Sequence, residues 1–394
     1  MRDSTPSLRG YDGVVCFGGV DWWYHNRGHY DLQMMRELSS TLPVLYVNSV
    51  GMRMPSPREG SMFLRRVTRK ARSLARGLVR IRDRFHVLSP ACLPGGGGEW
   101  NAALLAAQVT VAARRAGIRR PLLWVACPAA ARAALRIERE GLVFQRTDRF
   151  EAFHGVDAER VRDDVARLLQ QADLSLYCSR SLHASEVARA SAFVDHGIDL
   201  RRYALAGESN SEPEELRGIA HPRVGFVGGI DALTFDPELF RSVVAKLPHV
   251  QFVLVGGCSL PAGWIDAPNV HALGRRPFER VPEYLAACDA LVMPWNRSEW
   301  IRACNPIKLK EYLAVGRPIV STPFDELERY RGLVHVATDA DEFVEELLGA
   351  LDGEHDPRPG RRKLAGQGWN HKAREVVTEL ARLGVSPVVK ERVA

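Results

Sequence analysis

Short β-branched runs that stop at glycines recur along the chain, and most are followed by a stretch with helical spacing. Gly13–Phe17 (GVVCF) stops at Gly18-Gly19. From His29 to Ser39, Leu32, Met35 and Leu38 share one side of a helix, and Val44–Val47 (VLYV) is the next strand. The chain thus opens β-loop-α-β, the start of a doubly wound fold. Arg84–Leu88, Leu122–Ala126, Leu142–Phe144, Asp173–Cys178 and Ser191–Val194 read as further strands. Trp100–Ala116, behind the glycine loop Gly95–Gly98, reads as a helix, and its weakly polar stretch Trp100–Ala113 as a buried one.

Ala206–His221 is polar, small and irregular, and reads as a linker. After it the pattern restarts. Arg223–Val227 ends at Gly228-Gly229, and Gln251–Val255 ends at Gly256-Gly257. Val270–Leu273, Ala290–Met293 and Pro318–Ser321 are strands, and Pro237–Leu247, Val281–Cys288 and Ile307–Val315 helices. The expected fold class is α/β, with two doubly wound Rossmann-like domains facing across a cleft. The first spans 1–205, the linker 206–221 and the second 222–370, and a C-terminal helix in 371–394 packs back on the first. Ligands of such sheets sit beyond the carboxyl ends of the strands.

Met62–Arg84 breaks the alternation. Leu64, Val67, Ala71, Leu74, Leu78 and Ile81 recur at spacings of three and four, and arginines fill the other side. The spacing predicts one arginine-rich amphipathic helix over 62–84. Three roles are open to it: a membrane-surface element, a solvated helix packed on the first domain, or a nucleic-acid patch. Nucleic acid is not expected as a partner, because aromatic residues for base stacking do not interleave the basic ones.

Composition narrows the class. The 394 residues are 46% hydrophobic and 26% charged, which excludes a disordered or fibrous chain and suits two domains. Seven cysteines without a CxxC pair point to a reducing compartment, with neither a disulfide framework nor a zinc site. The start lacks the apolar core of a signal peptide, and no run of eighteen apolar residues could span a membrane. The formal charge is +7, yet Met62–Arg84 alone holds nine basic residues against one acidic. The positive balance therefore belongs to one segment of a nearly neutral protein, and that segment lies in the first half.

The densest chemistry lies between residues 269 and 322. A strand ends at Pro294, a polar loop follows, and a helix starts near Pro306 and stops at Gly316. A helix N-terminus beside a strand end suits a phosphate. One turn along, Glu311 can accept from a ribose diol, and Lys308 can meet a diphosphate; the bland alternative is a surface Lys–Glu pair. Gly228-Gly229 and Gly18-Gly19 follow the first strand of each half, where backbone amides can approach an oxyanion.

Asn305-Pro306-Ile307-Lys308, Glu311-Tyr312-Leu313-Ala314, Gly316 and Pro318–Thr322 resemble the nucleotide-ribose helix and following strand of nucleotide-sugar glycosyltransferases with two Rossmann domains, the GT-B architecture. Phe226–Gly229 resembles their diphosphate loop. Asn269–His271, Leu273-Gly274, Val281–Tyr284, Asp289 and Pro294 follow their spacing. The resemblance covers most of 221–330 and is specific for the class, not for the sugar. It implies donor binding by Gly228, Gly229, Arg275, Asn305, Lys308, Glu311 and Ser321. Arg276 and Arg302 are further sources of positive charge. Retaining members usually carry two glutamates separated by seven residues; Glu311 matches the second, Ala303 stands at the first, and Glu299 lies in the same loop.

The first half is then expected to hold an acceptor. Gly19, Asp21, Trp22, Trp23, His25 and Arg27 make a polar-aromatic loop suited to a sugar, unless its rings are packed core. Asp148, after a strand, is the first candidate for the base that takes the acceptor proton, with His25 and His154 in reserve. Its segment Arg146–Phe150 is similar to an element of membrane-associated inverting glucuronosyltransferases. The alternatives for Asp148 are an ion pair with Arg146 or Arg149, or a helix cap. No metal ligand cluster is apparent, so no metal and no cofactor beyond a nucleotide diphosphate sugar are expected. The expected enzyme is cytoplasmic and peripheral on the inner membrane face. It would glycosylate a lipid-linked acceptor in surface polysaccharide or glycolipid synthesis. The alternatives are a soluble transferase of small natural products and a non-catalytic nucleotide-sugar-binding protein.

Overall fold

The computed structural model describes residues 9–24, 28–52, 61–92, 98–153, 155–209 and 211–388, without the side chains of 61–66. The chain divides into two units, Met1–Asp195 with Trp369–Ala394, and His196–Gly368.

The first unit opens with β1 (Arg9–Tyr11), β2 (Gly13–Phe17), α1 (Tyr30–Leu38), β3 (Val44–Val47), α2 (Ser61–Leu74), β4 (Leu78–Arg82) and β5 (Phe85–Leu88). It continues with α3 (Glu99–Arg115), β6 (Pro121–Val125), α4 (Ala131–Ala134), β7 (Gly141–Arg146), α5 (Ala158–Gln171), β8 (Leu174–Tyr177), α6 (Arg180–Ser185) and β9 (Ser191–Phe193). Eight strands form a sheet in the order β4-β5-β3-β2-β6-β7-β8-β9. Only β4 runs antiparallel, along β5. Side chains alternate between faces as the pleat requires. Val15, Phe17, Leu45, Val47, Leu123 and Val125 pack under α3, while Val14, Cys16, Val44, Tyr46, Leu122 and Trp124 pack under α1. The strand order reverses between β2 and β6, so the loops after Phe17 and Val125 border the switch point at the carboxyl edge.

The expected helix over 62–84 is half right. It stops at Leu74, and Gly77, with φ +58°, turns the chain into the edge strand β4. The three-four spacing runs through that turn by coincidence, because Leu78 and Ile81 lie three apart in a strand, whose side-chain period is two. Antiparallel β4 satisfies the backbone groups along β5, and its own outer edge carries exposed Arg80 and Arg82, charges that discourage pairing with other chains. In α2, Val67 is 44% exposed and Ala71 is exposed, so the apolar face does not pack as an ordinary surface helix would. Among the α2 residues whose side chains are described, Ser73 is the buried one. The stretch Trp100–Ala113 is likewise buried on one side only. Leu105, Val109 and Ala112 enter the core, while Trp100 is 71% exposed.

The second unit holds α7 (Leu200–Glu208), β10 (Arg223–Val227), α8 (Pro237–Lys246), β11 (Gln251–Val255), β12 (Val270–Gly274), α9 (Val281–Ala286) and β13 (Ala290–Met293). Then come α10 (Glu299–Ala303), α11 (Ile307–Val315), β14 (Ile319–Ser321), β15 (His335–Val336), α12 (Ala340–Asp352) and α13 (Arg358–Lys363). Its six parallel strands run β12-β11-β10-β13-β14-β15, reversing between β10 and β13. The second unit begins at His196, ahead of the expected linker at 206–221. Helix α7 closes this unit by packing on α9 and α11, so residues 200–205 belong here and not to the first half.

After residue 368 the chain returns to the first unit. Helix α14 (Trp369–Arg382) packs on α1, with Tyr30 and Trp369 edge to face at 5.2 Å, and β16 (Val385–Pro387) pairs in parallel with β1.

Candidate functional site

In the second unit, Gly228, Arg275 and Lys308, singled out by sequence, come together at the carboxyl ends of β10, β11 and β13. Gly228 follows β10 and Gly256 follows β11, and the two loops pass so closely that a Cβ on Gly256 would overlap the Gly228 backbone. A Cβ on Gly228 would in turn overlap Cε of Lys308. Glycine at both places lets the Lys308 side chain cross the strand end. Its ammonium lies 4.5 Å from the centre of the Trp295 ring and 5.3 Å from that of Phe226. These ring faces are electron-rich and stabilise a cation. Burial pushes the Lys308 amine below its usual range, and the nearby Glu311 charge raises it back. Arg275 lies over Gly257, where a Cβ would crowd its guanidinium. Two cationic side chains thus overlie strand ends built of glycine.

Helix α11 is locked beneath this cradle. The Val227 N–H donates to the Tyr312 hydroxyl at 3.0 Å, and Gly316 ends the helix in the left-handed conformation at φ +82°. One turn along from Lys308, Glu311 is buried and accepts a hydrogen bond at Oε1 from the Tyr203 hydroxyl at 2.6 Å. Burial raises its carboxyl above the usual range, opposed by the Tyr203 bond and the Lys308 charge. Asn305 is buried just ahead of the helix. Ser321 does not join the site: it is fully buried, and its hydroxyl donates to Thr322 C=O at 2.8 Å beside the β13 end. Arg276 turns away, donating to the Tyr284 hydroxyl at 3.1 Å and facing Glu215 at 3.4 Å. Ala303 is buried, while Glu299 and Arg302 are exposed on α10. Gly229 is exposed beside the cradle.

The first unit has its own cluster at the same kind of edge. A Cβ on Gly18 would overlap the Tyr46 hydroxyl. The Gly19 N–H and the Tyr46 hydroxyl both donate to Asp31 Oδ2 at 2.8 Å, which fixes the turn after β2. Beyond it the loop is held by groups from three later segments. The Trp22 N–H donates to Asn48 Oδ1 at 2.9 Å, the Ser73 hydroxyl to Asp21 Oδ2 at 2.9 Å, and Trp23 Nε1 to Ser89 Oγ at 3.1 Å. Asn48, Ser73 and Ser89 are buried and bonded to one another. The Trp22 ring is half-buried and packs on Phe85 at 4.9 Å. Trp23 lies under Arg76, whose guanidinium is 4.3 Å from the ring centre, and Arg69 stands 5.8 Å from the Tyr24 ring. The end of α2 and the aromatic loop are therefore one piece of structure. Sequence reading took them as separate features, because nothing in the spacing links Asp21 to Ser73.

Asp148 follows β7, half-buried, at this edge. Arg146 does not spend its charge on it. The fully buried guanidinium bridges Glu151 at 3.0 Å and Glu186 at 2.6 Å, and donates to the backbone carbonyl of Asp148 at 2.8 Å. The Tyr177 hydroxyl also binds Glu186, at 3.1 Å. This network shapes the loop that carries Asp148. His25, Arg27 and His154 lie outside the described residues.

Sequence reading missed Tyr203, because the expected boundary placed it in the other half. It also left Gly256-Gly257 without a role, although the pair stood in plain view after β11.

Residues 221–352 match the family model of glycosyl transferases group 1. Over 239 residues the chain is 27% identical to TuaH of Bacillus subtilis (strain 168), a glycosyltransferase named for teichuronic acid biosynthesis. That match covers 55% of this chain and 59% of the relative, so the chain spans about three fifths of that relative's length. Among solved structures, the fold is similar to sucrose-phosphate synthase from Thermosynechococcus elongatus (TM-score 0.68, 14% identity, 94% of this chain and 99% of that one). It is also similar to a UDP-forming trehalose-phosphate synthase from Burkholderia xenovorans in complex with glucose-6-phosphate (0.66, 12%, 93% and 99%). A third likeness is to Anabaena HepE in complex with UDP and glucose (0.64, 14%, 94% and 99%). The architecture is that of GT-B proteins.

Proposed function

With residues 221–352 a group 1 glycosyltransferase domain, we propose that the chain transfers a sugar from a nucleotide diphosphate sugar to a lipid-linked acceptor in surface polysaccharide synthesis. The observation that carries the reading is Lys308 crossing the glycine strand end, with Arg275 over Gly257 and Glu311 one turn further on α11. The cations meet the diphosphate, and the free oxygen of Glu311 accepts from the ribose diol. Asn305 and Gly229 border the same place. UDP is the first nucleotide to test, since HepE was solved with it.

In the transfer, the acceptor hydroxyl oxygen bonds to the anomeric carbon, and the bond from that carbon to the diphosphate oxygen breaks. Asp148 takes the hydroxyl proton, with His25 or His154 as the other candidate bases. The nucleoside diphosphate leaves with its negative charge against Lys308 and Arg275, a stabilisation that fixed charges and amides supply without a metal. Gly19, Asp21, Trp23 and Arg27 hold the acceptor. The name of the TuaH relative supports a cell-wall polysaccharide as its destination. Helix α2 and the turn after it, with Arg69, Arg72 and Arg76 exposed at the acceptor loop, dock on an anionic membrane face and bring a lipid-linked acceptor to it. Among the described residues no helix is long and apolar enough to cross a membrane.

The test is a melting-temperature screen against nucleoside diphosphates and their sugars. A ligand present at 100 times its Kd adds about 2.7 kcal/mol of stability, so the donor stands out. The matching sugar should then be consumed with release of nucleoside diphosphate, and Glu311→Ala should abolish the shift. A chain that neither shifts nor turns over with any donor overturns the transferase reading.

A further inference from the structure

Helix α3 is apolar on nearly every side, yet only one side is covered. Asn101, Ala102, Leu105, Ala106, Val109, Ala112 and Ala113 are buried against the sheet. At about 100° per residue, Trp100, Ala103, Leu104, Ala107 and Val111 fall on the opposite arc. All five are exposed, Trp100 by 71%, Leu104 by 36% and Val111 by 49%. Between Trp100 and Val111 this arc holds no charged residue. Beyond Val111 the same arc continues into exposed Arg114 and Arg115. Glu99, the acidic residue at the start of the helix, is paired with Arg132 and Arg136. A row of exposed apolar side chains about 16 Å long, led by a tryptophan, is the kind of patch that marks an interaction surface.

We infer that the outer face of α3 is a bilayer-contacting surface, with Trp100, Leu104 and Val111 entering the headgroup–acyl boundary of an anionic membrane. Two observations favour a lipid surface over a second copy of the chain. First, with Glu99 held by Arg132 and Arg136, the charge flanking the face is positive: Arg114 and Arg115 close it, and the same unit exposes Arg69 and Arg72 on α2 and Arg76 just after it. A second copy would set these against each other, whereas anionic headgroups complement them. Second, three large side chains and two alanines fall well short of the ~800 Å² per partner that a stable dimer buries. Tryptophan is also the side chain best suited to the interface, with an apolar body and one polar N–H. This face is separate from the charge contact proposed for α2 and does not depend on which sugar or acceptor the chain uses.

The test is co-sedimentation of the full chain with vesicles of phosphatidylglycerol and phosphatidylcholine in equal parts, and with phosphatidylcholine alone. Replacing Trp100, Leu104 and Val111 by Gln should lower binding to the mixed vesicles by roughly tenfold with an unchanged melting temperature, since the positions are exposed. Lipid brominated near the headgroup should quench tryptophan emission in the natural chain and much less in Trp100→Phe. Charge reversal of Arg69 and Arg72 should weaken binding only where phosphatidylglycerol is present, which separates the α2 contact from the α3 contact. Equal sedimentation of the triple variant and the natural chain overturns the inference. So does self-association without lipid that the triple variant abolishes, which would assign the face to a second copy.

Discussion

The two carboxyl edges of the molecule are built on opposite plans. In the second unit the site is mostly backbone and short range: two glycine strand ends in contact, one lysine laid across them, and a carboxylate three residues further along the same helix. In the first unit the corresponding edge is a side-chain latch assembled from β2, β3, the end of α2 and the segment after β5. A site of the first kind tolerates little change in shape, because a single Cβ meets backbone. A site of the second kind can lose one bond and keep its form, since each net hydrogen bond contributes about 1 kcal/mol.

The sharpest way to break this contrast is Gly256→Ala. Its Cβ meets the Gly228 backbone, which cannot step aside as a flexible side chain can. Affinity for UDP should fall by roughly 100-fold, with a clear drop in melting temperature. Calorimetry and a thermal melt that both match the natural chain would show that the cradle is not packed as described. Glu311→Gln should come next. It keeps the shape and removes a charged acceptor, so the Kd for UDP should rise by roughly 10- to 100-fold, the scale of a charged hydrogen bond.

Tyr203→Phe should have a smaller effect, a few-fold at neutral pH, and a distinctive one in acid. Burial already raises the Glu311 carboxyl, and the Tyr203 bond holds it down. Without that bond Glu311 takes up its proton at a higher pH. If the carboxylate form binds the ribose, affinity for UDP should therefore begin to fall at a higher pH in the variant than in the natural chain. Superimposable pH profiles would remove Tyr203 from the site. Ser73→Ala should be the mildest. It removes one member of a network that retains Asn48 and Ser89, costing about 1 kcal/mol of stability. UDP affinity should be untouched, while turnover with acceptor falls a few-fold. A loss of UDP affinity would mean that the two edges are not independent.

The contrast also explains what could be read from the residues alone. Local features came through: glycines after strands, the helix stop at Gly316, and Lys308 and Glu311 on one helix all follow from neighbours in sequence. Non-local features did not. The partner of Glu311 comes from α7, about a hundred residues earlier, and the partner of Asp21 from α2. No periodicity carries such pairings. The helix expected over 62–84 failed for a more local reason: its spacing fitted a helix throughout, but Gly77 turns the chain and residues 78–82 pair as a hairpin with β5 directly after them. Trp100–Ala113 misled because apolar composition does not say how many sides are covered.

The return of the chain to its first unit sets an order of assembly. Helix α14 packs on α1, and β16 pairs with β1. Helix α14 and β16 are made only after the whole of the second unit, whereas α1 and β1 are made before it. The unit from His196 to Gly368 is contiguous and can close its core as soon as it emerges. The first unit cannot: until residues 369–387 arrive, the cluster that joins Tyr30 and Met34 of α1 to Trp124 of β6 lacks Val376, Leu380 and Val385. The half expected to receive the acceptor is thus completed only after the second unit has been made, and a chain cut at residue 368 carries an uncovered apolar surface on its first unit, the kind of surface that draws chaperones and aggregates.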